Sequence, residues 1–155
     1  MTLEELFAGR DVDVDEVLAR LRAVAEAEGL PFGSRTHTYN SRLAQELGKW
    51  AQEMGKGEEF HQAAFRAYFV QGANLARTDV LADLAESVGL NPREARESLD
   101  ERAYALVVDE DWARAREAGV MAVPTFRAGG RLVVGAQTYE TLETLVRSVG
   151  AVPRG

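Results

Sequence analysis

Apolar positions recur at helical spacing along most of the chain. From Asp15 onward, Val17, Leu18, Leu21, Val24 and Ala25 fall on one helix face, and Gly29 with Pro31 supplies the stop. After a loop from Pro31 to about Thr38, the residues Leu43, Leu47, Trp50, Ala51 and Met54 predict a second amphipathic helix, ended by Gly55 and Gly57. Phe60, Ala64, Phe65, Tyr68 and Phe69 predict its antiparallel neighbour. Thr78 reads as the cap of a helix through Val80, Leu81, Leu84, Ala85 and Val88, with Gly89 just past its end. Asn91-Pro92-Arg93-Glu94 joins an N-cap residue, a first-turn proline and a glutamate three positions after the cap, so another helix starts there. That helix breaks near Asp100, and a longer one through Tyr104, Val107, Val108, Trp112 and Ala115 reaches Gly119. At the other end, Thr2-Leu3-Glu4-Glu5 has capping-box spacing and predicts a short turn of helix to about Ala8. Trp50, Trp112, Phe65, Tyr68 and Phe69 recur on apolar helix faces and read as core.

The periodicity changes at Val120. Val120 to Phe126 and Arg131 to Val134 are short β-compatible runs around Ala128-Gly129-Gly130, whose glycines can take positive φ and close a hairpin. Thr138 then caps a last helix carrying Tyr139, Leu142, Leu145 and Val146. The fold class is therefore α+β and helix-rich, one domain over residues 1–155, mainly helical to 119 and ββα from 120 to 150. A lone hairpin leaves two edges of unpaired backbone groups. The strands that complete the sheet come from the first ten residues, from another chain, or from a segment upstream of Met1; the third source is the one favoured. A second copy of the chain pairing at the open edge gives a homo-oligomer.

Composition narrows the function classes. With 18 Lys and Arg against 25 Asp and Glu, the net charge of -7 disfavours nucleic acid and anionic lipid as partners. No apolar run is long enough to cross a bilayer and the first residues lack signal-peptide character, so no membrane partner is predicted and the cytoplasm is the expected address. Zero cysteines exclude disulfides, thiolate metal sites and cysteine nucleophiles within this sequence. His37 and His61, the only histidines, have no partner at metal-ligand spacing, so no metal site is predicted. Asp109-Glu110-Asp111 reads as a solvated helix face, and no G-x-S-x-G elbow supports a serine nucleophile. No catalytic residue is assigned.

Val120-Met121-Ala122-Val123-Pro124-Thr125-Phe126, after Glu117-Ala118-Gly119, resembles the GVxxVPTF segment of thioredoxin-fold proteins. Gly135-Ala136-Gln137, Tyr39-Asn40-Ser41-Arg42-Leu43-Ala44 and Phe65-Arg66-Ala67-Tyr68-Phe69 are similar to stretches of the FrnE-like branch of the DsbA family, and the similarity runs from about Leu3 to the C-terminus. This resemblance implies a DsbA-like thioredoxin fold with a helical insert, and a lineage of thiol-disulfide oxidoreductases or isomerases. A related branch holds glutathione-dependent isomerases and transferases.

The resemblance further implies a cis-proline at Pro124, with the Val123 backbone available to an extended peptide, a protein substrate or glutathione. It also implies substrate-facing roles for Asn40, Gly135, Ala136 and Gln137. Each has a plainer alternative: a trans turn at Pro124, a β-to-α turn at residues 135–137, and a helix cap at Asn40. The family's opening strand and Cys-x-x-Cys would lie before Met1. The expectation is thus a truncated or redox-inactive form that keeps the substrate-binding half and needs no cofactor. The alternatives are a non-catalytic peptide- or partner-binding module, an oligomer-forming protein, or a glutathione-binding isomerase or transferase relative.

Overall fold

The computed structural model describes residues 1–152. The last three positions of the expected 1–155 domain lie outside the described residues. The chain divides into two compact units, Met1–Val108 and Asp109 onward, with the division falling inside one helix.

The first unit holds α1 (Leu3–Phe7), α2 (Val14–Ala27), α3 (Arg42–Glu53), α4 (Gly57–Phe69), α5 (Thr78–Ser87), α6 (Pro92–Asp100) and the start of α7 (Ala105–Glu117). Its helix starts follow the local chemistry. Thr2 Oγ1 accepts from the Glu5 N–H at 3.0 Å while Glu5 Oε2 accepts from the Thr2 N–H at 2.8 Å, a complete capping box. Asp13 caps α2, and Asn91 caps α6 with Pro92 in the first turn. Thr78 does not cap α5: it is the first helical residue, Arg77 stands at the cap, and Arg77 pairs with Asp79 in the first turn. Gly55 turns the chain out of α3 at φ 73°, whereas Gly57 opens α4 rather than ending α3.

The core of this unit gathers Leu47, Trp50, Ala51, Phe60, Ala67, Leu75, Leu81, Ala85, Ala95 and Leu99 from α3 to α6. Two aromatic residues expected in a core are outside one: Phe65 and Trp112 are exposed, and Tyr68 and Phe69 are half-buried. The apolar stripe of α2 is uncovered as well, with Val17, Leu21 and Val24 all exposed. Helical periodicity predicts which side chains share a face; it does not supply the surface that buries them.

One charge is buried in this core. Glu46 accepts from Arg42 Nε at 2.7 Å and from Arg102 Nε and Nη2 at 2.8 and 2.6 Å, and Arg42 Nη2 also donates to the Ala105 carbonyl at 2.7 Å. The cluster ties α3 to the turn between α6 and α7. Arg102 holds a left-handed φ of 53° there, a conformation that disfavours any residue with a Cβ by about 1–2 kcal/mol. Its guanidinium stays because Glu46 fixes it.

The second unit holds the remainder of α7, β1 (Thr125–Ala128), β2 (Arg131–Val134) and α8 (Tyr139–Arg147). The two strands are antiparallel, with Thr125 opposite Val134, Phe126 opposite Val133, Arg127 opposite Leu132 and Ala128 opposite Arg131. Gly129 closes the hairpin at φ 57°. The first strand is shorter at its start than the run from Val120 predicts. Pro124 brings no N–H to a ladder, and residues 120–124 lie outside the strand. Among the described residues the sheet has these two strands, and residues 3–7 form α1 instead of a third.

The Arg102 and Arg42 bonds hold the Glu46 carboxyl below the ordinary carboxylate range, with burial opposing them. The unfolded chain therefore binds the Glu46 proton more tightly than the folded one, and the stability this gives is present above about pH 4.3 and lost on further acidification. Glu46→Ala leaves two guanidinium groups without their anion and is expected to cost about 3 kcal/mol in urea unfolding followed by circular dichroism. The variant should also lose part of the wild type's stability change between neutral and acidic pH.

Candidate functional site

The candidate edge is built by the register of the hairpin. The Gly135 N–H donates to the Pro124 carbonyl at 2.8 Å, which extends the ladder one pair beyond Thr125 and Val134. Hydrogen-bonded and non-hydrogen-bonded pairs alternate along antiparallel strands. With Pro124 facing Gly135 in a bonded pair, Phe126 and Ala128 also turn their backbone groups toward β2, while Thr125 and Arg127 turn theirs away. Val123 precedes the strand, on the far side of Pro124. Its N–H and C=O have no hydrogen-bond partner among the described residues, and the residue is 87% exposed. The peptide bond between Val123 and Pro124 is cis. Thr125 Oγ1 donates to the Ala122 carbonyl at 2.6 Å and fastens the segment that carries Val123.

Residues 135–137 sit beside this edge. Gly135 takes φ 88°, and its N–H is spent on Pro124, so it is not a free donor. Gln137 Nε2 donates back to the Val134 carbonyl at 2.8 Å. Thr138 caps α8, and Glu140 in its first turn is held below its ordinary value by its own backbone N–H and by the Thr138 hydroxyl. The N-terminus of α8 therefore already faces a carboxylate of its own. Val123, Pro124, Gly135, Ala136 and Gln137 share one corner of the second unit. Asn40 belongs to the first unit, where its Oδ1 accepts from the Arg42 N–H at 2.8 Å and closes the start of α3.

Sequence reasoning missed Thr125 and Arg127 as members of the edge. The outward set follows from the period of two once one bonded pair of the ladder is known, which the sequence does not give. An open cavity of about 590 Å³ between β2 and α8 is lined by residues that include Arg131, Glu140 and Thr144, and by none of the six candidates. Among the described residues no group of three or more His, Asp or Glu side chains is placed to hold a metal ion. No helix among them is long and apolar enough to cross a membrane.

The model of the DSBA-like thioredoxin domain family matches residues 5–147. The chain belongs to that family. The helix-rich α+β structure with its two-stranded sheet matches the DsbA-like thioredoxin fold. The structure is similar to that of the probable DsbA oxidoreductase SCO1869 from Streptomyces coelicolor, at a TM-score of 0.79 and 28% identity over 99% of this chain and 69% of that one. It is similar in fold to a 2-hydroxychromene-2-carboxylate isomerase, at 0.72 and 22% over 88% of this chain and 66% of that one. The cytosolic disulfide reductase DsbM from Pseudomonas aeruginosa with GSH shares the fold at 0.58 and 20%, over 88% of this chain and 71% of that one. In sequence the chain is 34% identical over 111 residues to the uncharacterised protein YwbO of Bacillus subtilis, covering 71% of this chain. It spans about half, 55%, of that curated relative's length.

An added Cβ at Gly135 meets nothing closer than 3.9 Å, so Gly135→Ala tests the backbone alone. It is expected to cost about 1–2 kcal/mol through the left-handed φ, and amide hydrogen exchange should quicken at residue 135, whose N–H joins the ladder to Pro124.

Proposed function

We propose that this chain carries the substrate-binding edge of a DsbA-like thiol-disulfide protein, and that an extended peptide adds to β1 along Val123, Thr125 and Arg127. The observation that carries this reading is the unpartnered backbone of Val123, exposed and next along the chain to the edge on which Thr125 and Arg127 turn their groups outward. Such a row of free N–H and C=O groups is what strand addition uses, with the backbone giving affinity and alternate side chains giving selectivity.

The 155 residues contain no cysteine. Thiol-disulfide exchange begins with attack by a thiolate, so the part this chain plays in that chemistry is to hold the substrate, and the thiols come from outside these residues. Read this way, the chain by itself is a redox-inactive peptide-binding half. Glutathione is itself a short extended peptide and fits the same pair of groups on Val123. A second copy is a competing occupant of the edge, since an open strand accepts any strand of matching length.

Fluorescence anisotropy with short labelled peptides of alternating valine, threonine and lysine tests the reading. Binding is expected, and N-methylation of alternate peptide residues should weaken it about tenfold by removing donors the edge requires. Arg127→Pro removes one outward N–H without touching a backbone bond to β2 or the Thr125 hydroxyl bond, and should weaken binding similarly. Equal affinity for the methylated and unmethylated peptides would contradict strand addition. Light scattering that shows a dimer dissolved by the peptide would mean the second copy holds the edge at rest.

A further inference from the structure

The loop before α3 carries a feature that the peptide-binding edge does not use. Residues 33–39 lie against the end of α4, and they do so because of Gly33. A Cβ there would fall 2.0 Å from the Val70 carbonyl oxygen, and the Gly33 N–H donates to the Phe69 carbonyl at 2.9 Å. That close approach lays Arg35 over the rings of Tyr68 and Phe69, with the guanidinium carbon 4.4 and 5.1 Å from their centroids. Arg35 Nη2 donates to the Tyr68 hydroxyl at 2.6 Å. On the other side of the loop His37 stacks on Tyr39 at 6.0 Å, and its Nδ1 is 2.8 Å from Thr36 Oγ1. Together Ser34, Arg35, Thr36, His37, Tyr39 and Tyr68 line a cavity of about 40 Å³ with no carboxylate in its wall.

We propose that this cavity is a binding site for the oxyanion head, carboxylate or phosphate, of a small ligand whose remainder stays in solvent. Arg42 and Arg102 share the carboxylate of Glu46, and Arg147 pairs with Glu143. Arg35 pairs instead with a neutral phenol and two aromatic faces, so its charge is held in place without being neutralised. Stacking leaves most of the guanidinium's donors unused and fixes their plane, which suits two-pronged bonding to an oxyanion and lowers the ordering cost on binding. Partial removal from water strengthens the attraction. The Ser34 hydroxyl adds a donor to the same wall, and the bonded Thr36–His37 pair adds one more, the Thr36 O–H or the ring Nε2–H according to the tautomer. The volume exceeds what a single water needs and falls well short of a whole ligand, which is why only the head enters.

The test is a titration of the full chain at fixed ionic strength with inorganic phosphate and, separately, with N-acetylglycine, followed through the His37 ring resonances by NMR. A saturable one-to-one shift is expected with at least one of them, about tenfold weaker in Arg35→Gln and partly kept in Arg35→Lys. Tighter binding of phosphate would assign a phosphoryl ligand, and tighter binding of N-acetylglycine a peptide-like carboxylate. Should Arg35→Gln unfold, Thr36→Ala provides the second variant and is expected to weaken binding by a smaller factor. No saturable shift with either probe, or an unchanged shift in the arginine variants, would overturn the proposal. Because the site stands on Arg35 and the peptide edge on Val123, either can fail alone.

Discussion

The bond from the Gly135 N–H to the Pro124 carbonyl sets the phase of the hairpin. It makes Pro124 and Gly135 a bonded pair, and from that pair the alternation of an antiparallel ladder assigns each backbone group of β1 to one side or the other. Phe126 and Ala128 are committed to β2, while Thr125 and Arg127 face away and the Val123 backbone before them has no partner. A shift of one residue would reverse the set, bringing Phe126 to the free edge. Gly129 at one end of the hairpin and Gly135 at the other hold that register, each in a left-handed conformation that a side chain disfavours.

The first unit depends on a different constraint, the single buried carboxylate of Glu46. Two arginines from separate stretches of chain meet on it, and one of them also bonds a backbone carbonyl at the start of α7. Buried ion pairs give modest net stability because desolvation opposes them, yet removing one partner is costly. Here the pair fixes geometry: it holds α3 to the turn that Arg102 makes, so the apolar cluster of α3 to α6 has one arrangement. Gly33 plays the same part for the loop before α3, since its missing side chain lets the Arg35 stack form.

Much of this was legible in the sequence where the signal is local. Thr2 with Glu5, Asn91 with Pro92, and Thr138 each announce a helix start through a bond reaching three residues or fewer, and all three are present. The family was legible in the residues around Val123-Pro124-Thr125-Phe126. What was not legible depends on distant partners. Phe65 and Trp112 have helical phase but are exposed, because phase says nothing of the neighbour across from them. The start of β1 was misplaced because apolar β-formers at 120–123 look like strand until the ladder is counted from Pro124. The Arg35 stack joins residues 33 positions apart, and Arg102 in a left-handed turn is the opposite of what composition suggests. Of the candidate residues, Asn40 accepts a bond from the Arg42 N–H at the start of α3, and the outward pair Thr125 and Arg127 emerges only once the register is known.

Residue-resolved amide hydrogen exchange across 123–128, with and without a bound extended peptide, reads the two sides of β1 separately. Fast exchange is expected at Val123, Thr125 and Arg127 in the free chain, slower exchange at Phe126 and Ala128, and new protection confined to the first set when peptide is added. Uniform protection in the free chain, or peptide-induced protection that ignores this two-residue alternation, would contradict the addition of a peptide to this edge.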